Sequence, residues 1–184
     1  MTGNDLHHFR SAQDTVLEQV SSELAAGRKR THWMWFVFPQ LAGLGRFSTA
    51  ARYAITDLDH ARRYLDDPVL GDRLWQNVRL ILRHENKTAV DIVGTPDDLK
   101  LHSCLTLFGV ASSAPADKLL FDESIRVFYG GHPYPQTMTL LAGHELVSTP
   151  KCRAQERIIC VRLFEDLYLP GTGCPRSRCI DYPS

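Results

Sequence analysis

The chain has 184 residues, 43% of them hydrophobic and 23% charged, a composition that excludes an intrinsically disordered protein. Its 21 basic and 21 acidic residues give a formal net charge of zero, which argues against a nucleic-acid partner. The longest apolar run, residues 33–38, is far shorter than the roughly 20 residues that span a bilayer, and a signal-peptide pattern is lacking, so we expect a cytoplasmic protein without a membrane partner.

The first predicted element is an amphipathic helix over residues 6–24. Apolar residues recur there at a spacing close to 3.6, and Gly27 is placed to end the helix. Residues 28–30 are all basic and follow a helix end, where cations stabilise the helix dipole. The apolar run 33–38 has no clean period, so we predict a helix turn or irregular structure that Pro39 ends.

Short helices are predicted next. Ser48 can cap one helix that runs through Tyr53, and Asp57 can cap a second. Pro68 separates the second helix from a third one, over residues 70–81.

The sequence Thr95-Pro96-Asp97-Asp98 is among the strongest helix-start signals in the chain. It offers Thr95 as the N-cap, a proline at the first helical position and two carboxylates in the first turn. The buried stripe of this helix is predicted from three apolar residues at helical spacing, Leu101, Leu105 and Phe108.

A glycine pair separates the last two predicted helices. Gly130 and Gly131 end a helix marked by apolar residues over 121–128, and a short helix is predicted over 137–141. We therefore predict an all-α fold, a compact multihelical single domain over residues 1–148. Residues 149–184 are expected to form a partly helical C-terminal appendage with a mobile tail.

The cysteines and histidines do not indicate a metal or a cofactor. Five cysteines, four of them in the last third of the chain, form no paired C-x-x-C spacing, and we predict reduced thiols. Cys174 and Cys179 could pair within the tail without consequence for the fold.

Residues 27–40 resemble a known family in their sequence, GRKRTHWMWFVFPQ. They are similar to the signature of the bacterial domain-of-unknown-function 1810 family, and the likeness extends over residues 5–142. This resemblance implies a compact multihelical fold and no particular activity. A weaker likeness is to the NADAR group, which combines a tryptophan-rich segment, a glutamine and a later lysine in a helical pocket. That likeness implies chemistry on ADP-ribose or nucleotide N-glycosidic bonds, by analogy alone.

Residues 28–40 contain the first half of a candidate site. His32 can act as a general acid or base because imidazole titrates near neutral pH. Trp33 and Trp35 can clamp a planar ring, although large aromatics are also typical of a core, where we expect at least one of the two. Gln40 follows Pro39 and can direct its amide at a ligand, or it can bond to neighbouring backbone.

Residues 97–108 contain the other half. Lys100, Ser103 and Thr106 recur every three residues on one helix, where they form a polar strip that can hold phosphate or simply face solvent. Asp98 can stabilise an oxocarbenium-like centre, although its place in a first turn is sufficient reason for a carboxylate.

We predict that these two segments meet in space. In the first hypothesis the protein is an N-glycosidic or ADP-ribosyl hydrolase with Lys100, Asp98 and His32 as catalytic residues. A nucleotide-like ligand would then be bound by residues of both segments: Arg28, Lys29, Arg30, Trp33, Trp35, Gln40, Ser103 and Thr106. In the alternative, the same pocket or the surface over residues 43–46 serves a binding or protein-interaction module without catalysis. The lack of a recognisable nucleophile motif, such as G-x-S-x-G or a cysteine–histidine site, favours that alternative.

Overall fold

The computed structural model describes residues 6–45 and 47–148. Over these residues the chain forms ten helices and no strand, which confirms the predicted all-α, multihelical fold. None of the helices in this part of the chain combines the length and the apolar content needed to cross a bilayer. The helices, in chain order, are α1 (His7–Asp14), α2 (Leu17–Ala25), α3 (Met34–Val37), α4 (Ser48–Arg52), α5 (Leu58–Asp66), α6 (Leu70–Leu82), α7 (Ala89–Val93), α8 (Asp97–Ala111), α9 (Pro115–Tyr129) and α10 (Pro135–Ser148).

By compactness the chain divides into two units, residues 1–144 and residues 145–184. The predicted C-terminal appendage, residues 149–184, lies outside the described residues, and so do the four cysteines within it. The remaining cysteine, Cys104, is a free and buried thiol in α8, and burial raises its pKa well above the ordinary value.

Helix α8 lies at the centre of the first unit. It packs against α3, α5, α7 and α9, and the predicted stripe residues Leu101, Leu105 and Phe108 are all buried. Burial extends beyond this stripe to every residue from 103 to 109, so the helix is enclosed on all sides over its middle. The polar side chains of α8 that reach the surface therefore lie within residues 97–102.

The predicted first helix is broken in the structure. Helix α1 ends at Asp14 and α2 begins at Leu17, because the backbone of Val16 leaves the helical region at a φ of −131°. The hydroxyl of Thr15 donates to the carbonyl of Ala12 at 2.8 Å and so satisfies an acceptor at the break. The apolar residues keep their helical spacing across the break at Val16 because both α1 and α2 pack against the same core.

Two of the predicted N-caps are also wrong. Neither Thr95 nor Ser48 caps a helix, since Pro96 and Phe47 occupy the N-cap positions of α8 and α4 without a side-chain hydrogen bond. The predicted cap at Asp57 is confirmed, because its carboxylate accepts a hydrogen bond from the backbone N–H of His60 at 2.7 Å.

The C-terminal boundaries follow the predictions more closely. Gly130 ends α9 with a φ of 65°, a conformation that glycine adopts without a steric penalty. The short helix predicted over 137–141 is longer than expected, since α10 has 14 residues.

Candidate functional site

A single buried carboxylate organises the loop between α2 and α3. The Glu23 side chain accepts hydrogen bonds from the backbone N–H of Arg30 at 2.8 Å, the hydroxyl of Thr31 at 2.8 Å and the indole N–H of Trp33 at 2.9 Å. Burial by itself raises the pKa of Glu23, but these hydrogen bonds outweigh it, and the pKa lies below its ordinary value. The ionised carboxylate therefore fixes the position of the loop that leads to Trp33.

The two tryptophans of this region have different environments. Trp33 is 1% exposed and belongs to the core, which confirms that at least one of the pair packs there. Trp35, in α3, is only partly buried and lines a hollow at the surface. Of the two predicted ring-binding residues, Trp35 is therefore the one that a ligand can reach.

A lysine–aspartate cluster joins the two segments that the sequence analysis paired. The Asp97 carboxylate lies 2.7 Å from Nζ of Lys29 and 2.6 Å from Nζ of Lys100, and we call these three residues the lysine–aspartate cluster. Residues 28–40 and 97–108 thus meet in space, as predicted. Burial raises the pKa of Asp97, but the hydrogen bonds and charges of Lys100 and Lys29 outweigh this effect and hold the pKa below its ordinary value.

Trp35 connects this cluster to the surface hollow. Nζ of Lys100 lies 4.2 Å from the centroid of the Trp35 ring, within the range of a cation–π interaction. The hollow has a volume of about 150 Å³, and we call it the Trp35 hollow. Its lining residues are two aromatics, one glutamine, one leucine and six small residues: Trp35, Tyr53, Gln40, Leu41, Ala42, Gly43, Gly45, Ala50, Ala51 and Ala54.

Backbone hydrogen bonds hold two sides of the hollow together. The N–H of Ile55 donates to the carbonyl of Gln40 at 2.8 Å, and the N–H of Ala42 donates to the carbonyl of Ile55 at 2.8 Å. This pairing is the isolated parallel bridge between Leu41 and Ile55. Gln40 and Tyr53 therefore line one hollow although they lie on different loops.

Two predicted ligand-binding hydroxyls face the interior of the protein. The hydroxyl of Ser103 pairs with that of Thr137 at 2.8 Å, and the hydroxyl of Thr106 accepts a hydrogen bond from the N–H of Tyr134 at 2.8 Å. Both side chains are buried and join α8 to the region where α10 begins. The predicted polar strip is accessible only at Lys100.

Asp98 lies on the α9 side of α8, away from the lysine–aspartate cluster. Its carbonyl accepts a hydrogen bond from the hydroxyl of Tyr129 at 2.8 Å. Burial raises the pKa of Tyr129 above its ordinary value, and the Asp98 carboxylate adds to this rise. The structure thus places Asp97, and not the predicted Asp98, beside Lys100.

The remaining predicted residues are exposed. His32, Arg28 and Arg30 all lie at the surface, and none of them lines the Trp35 hollow. Sequence reasoning missed Asp97 and Tyr53 as site residues. The spacing of three between Asp97 and Lys100 was a usable signal for the first, whereas no local pattern distinguishes Tyr53.

Replacing either lysine of the cluster should raise the pKa of Asp97. We expect Lys29→Met and Lys100→Met each to move the titration midpoint of Asp97 upward, toward its ordinary value, because each removes a hydrogen bond and a positive charge. Carbon-detected NMR of the side-chain carboxyl during an acid titration measures this midpoint. Lys118→Met, which removes a lysine paired with Asp122 in α9, is the control. An Asp97 midpoint that is the same in all three variants would contradict the assigned contacts.

The sign of the associated stability effect follows from the lowered pKa. Asp97 contributes its full stabilisation above the ordinary carboxyl pKa and loses it as the pH falls through the lower value of the folded protein. The lysine variants should therefore show a smaller loss of stability than the parent on acidification.

Comparison with known proteins gives a family and one solved structure. A family model described as "Protein of unknown function (DUF1810)" matches residues 3–141. The crystal structure of the conserved hypothetical protein Rv1873 from Mycobacterium tuberculosis is 46% identical over 75% of this chain and 96% of that chain, with a TM-score of 0.71. A search of curated proteins returned no match. The likeness to the NADAR group stays a prediction.

Proposed function

Because this chain belongs to the DUF1810 family, whose description states no activity, we propose a function from the geometry of its residues: the protein binds a small nucleotide-like molecule in the Trp35 hollow. The observation that carries this proposal is the position of Trp35, which lines the hollow and also contacts Lys100.

The residues around the hollow supply the contacts that a nucleotide needs. An aromatic ring at a surface hollow can stack on a base, and base–aromatic stacking contributes roughly 1–3 kcal/mol. Gln40 offers both a hydrogen-bond donor and an acceptor for the edge of a base. Lys100, held against Trp35, can contact a phosphate or a carboxylate attached to the stacked ring.

The charge of the cluster favours an anion. Two lysines and one aspartate leave an excess of one positive charge, with Lys29 and Lys100 only 9% and 19% exposed at their side chains. Salt screens partly buried charges, such as those of these two lysines, less than it screens exposed charges. The exposed Arg28 and Arg30 flank Lys29 in the sequence and add further positive charge to the segment.

Removing the Trp35 ring should weaken binding strongly. We expect Trp35→Ala to raise the dissociation constant of a bound nucleoside monophosphate by about 5- to 150-fold, the equivalent of one stacked base. Isothermal titration calorimetry with uridine, adenosine and nicotinamide mononucleotides, and with ribose 5-phosphate, measures this effect. Gln40→Ala should give a smaller loss, on the order of tenfold, for one lost hydrogen bond.

Trp75 in α6 is the matched control for Trp35. It is also partly buried and also has a cation over its ring, with the guanidinium of Arg79 at 4.3 Å from the centroid, but it does not line the hollow. Trp75→Ala should leave the affinity unchanged. If no nucleotide binds to the parent protein, or if both tryptophan variants lose affinity equally, the proposal is wrong.

Hydrolysis of an N-glycosidic or ADP-ribosyl bond in the same hollow is the second candidate function. The observation that favours it is the ionised Asp97 carboxylate beside Lys100, since an oxocarbenium-like centre is stabilised by a nearby negative charge. In this version Lys100 balances negative charge on the leaving group. The Asp97 carboxylate takes the role predicted for Asp98, because Asp97 is paired with Lys100, which contacts Trp35 at the hollow. His32 is given no role in this version, since it is exposed and neither belongs to the lysine–aspartate cluster nor lines the hollow.

Product analysis separates catalysis from binding. The purified protein is incubated with NAD, ADP-ribose and nucleoside 5′-phosphates, and the mixtures are resolved by chromatography. For an enzyme we expect product with the parent protein and a large loss with Lys100→Ala and Asp97→Asn, while Lys118→Ala retains activity. Binding without any product would eliminate the hydrolase and leave the binding function.

A further inference from the structure

The size of the Trp35 hollow indicates the class of ring that it accepts. Building on the proposed function, we propose that the hollow takes a single six-membered heteroaromatic ring of a mononucleotide, of the pyrimidine or nicotinamide type, in preference to a purine. The volume of about 150 Å³ is the first basis for this assignment. An apolar cavity of about that size in another protein holds a benzene molecule, which is one six-membered ring.

Tyr53, one of the two aromatic residues that line the hollow, is held in place by other rings. The ring of Tyr53 packs against the rings of Phe36 at 5.3 Å, His8 at 5.5 Å and Phe9 at 5.7 Å between centroids. Phe9 is itself fully buried in the core. Tyr53 cannot move away to admit a larger ring without disturbing this aromatic group.

Small residues of the loop before α4 also line the hollow and are closely packed. A Cβ atom added at Gly45 would overlap the Cβ of Ala50, so the loop approaches α4 as nearly as a glycine allows. Gly43 has a φ of +94°, which L side chains rarely adopt, and this fixes the shape of the same loop. Gly43, Gly45 and Ala50 have no side chain that could change rotamer to enlarge the hollow.

Gln40 supplies a matching edge for such a ring. Its amide presents a carbonyl acceptor beside an N–H donor, which pairs with the carbonyl and N–H edge of a uracil or with the carboxamide of nicotinamide. The backbone carbonyl of Gln40 accepts a hydrogen bond from the N–H of Ile55, which fixes the backbone position from which the Gln40 side chain extends. A purine brings a second fused ring, which is more than the single ring held by the apolar cavity of similar volume in another protein.

Ligands with one phosphate and different rings test this proposal. Calorimetric titration of the full chain with uridine 5′-monophosphate, nicotinamide mononucleotide and adenosine 5′-monophosphate keeps the phosphate constant. We expect at least one single-ring nucleotide to bind about tenfold or more tightly than adenosine 5′-monophosphate, the selectivity that a size-limited pocket provides. Equal or tighter binding of the adenine nucleotide overturns the proposal while leaving the proposed function intact. Binding of none of the three contradicts the proposed function itself.

A substitution that fills part of the Trp35 hollow provides a second test of this proposal. Ala51 is exposed at the edge of the hollow, so Ala51→Leu should fill part of the volume without disturbing the core. We expect this variant to lose about tenfold or more in affinity for the single-ring nucleotide. Ala116→Leu, at an exposed alanine of α9, is the matched control and should bind as the parent does. Unchanged affinity in Ala51→Leu places the ring elsewhere and overturns the proposal.

Discussion

We expect Glu23→Ala to lower the free energy of unfolding by about 3 kcal/mol. The substitution removes the acceptor of several hydrogen bonds, and the site around Glu23 is buried, so water cannot fully replace the lost acceptor. The indole N–H of Trp33 and the backbone N–H of Arg30 both lose a partner at hydrogen-bond distance. Urea denaturation followed by circular dichroism measures the change. Since the same carboxylate positions the loop before Trp35, nucleotide binding should weaken as well.

The neighbouring Glu18 is the control for this substitution. It lies exposed on the same helix, α2, so Glu18→Ala should change the free energy of unfolding by less than about 0.5 kcal/mol. Because the pKa of Glu23 is lowered in the folded protein, its contribution is present above the ordinary carboxyl pKa and is lost as the pH falls through the folded value. A Glu23→Ala protein as stable as Glu18→Ala would show that the carboxylate does not anchor the loop.

Gly71→Ala should also destabilise the protein, by about 3 kcal/mol or somewhat less, because overpacking forces neighbouring backbone apart. A Cβ atom at Gly71, in the first turn of α6, would overlap the carbonyl oxygen of Leu65 near the end of α5. The turn between the two helices cannot easily relax. The backbone N–H groups of Val69 and Leu70 both donate to the Asp67 carboxylate at 3.0 Å.

Gly143 in α10 is the matched control for Gly71. Nothing lies within 4 Å of a Cβ added there, so Gly143→Ala should be neutral or should stabilise the helix by about 0.5–1 kcal/mol. Thermal unfolding of the two variants side by side gives the comparison. The close approach of α5 and α6 would be refuted if Gly71→Ala unfolded at or above the temperature of the parent.

Local signals in the sequence were sufficient for most of the helices. The cap at Asp57 and the glycine after α9 act through contacts within a few residues, and the stripe of α8 is a local periodic pattern of apolar residues; each occurs as predicted. The break between α1 and α2 was missed. The apolar pattern records which residues face the core and continues unchanged through a local change in backbone direction at Val16.

The candidate site required more than local signals. The tryptophan segment, Gln40 and Lys100 could be identified from residue type, and the meeting of their two segments was predicted. Tyr53 could not be identified, because it reaches the hollow through the pairing of two loops at Leu41 and Ile55. Ser103 and Thr106 were expected at an accessible face and are instead covered by the region around the start of α10.

The sequence by itself determined that residues 6–45 and 47–148 are mainly helical, where most of these helices lie and which two segments meet at the lysine–aspartate cluster. Only the tertiary structure decided which side chains of those segments face each other. Adjacent helical residues point about 100° apart, so a single turn can direct Asp97 or Asp98 toward Lys29, but not both. The packing of α3 and the preceding loop onto α8 selects Asp97, and that packing depends on contacts between residues distant in the sequence.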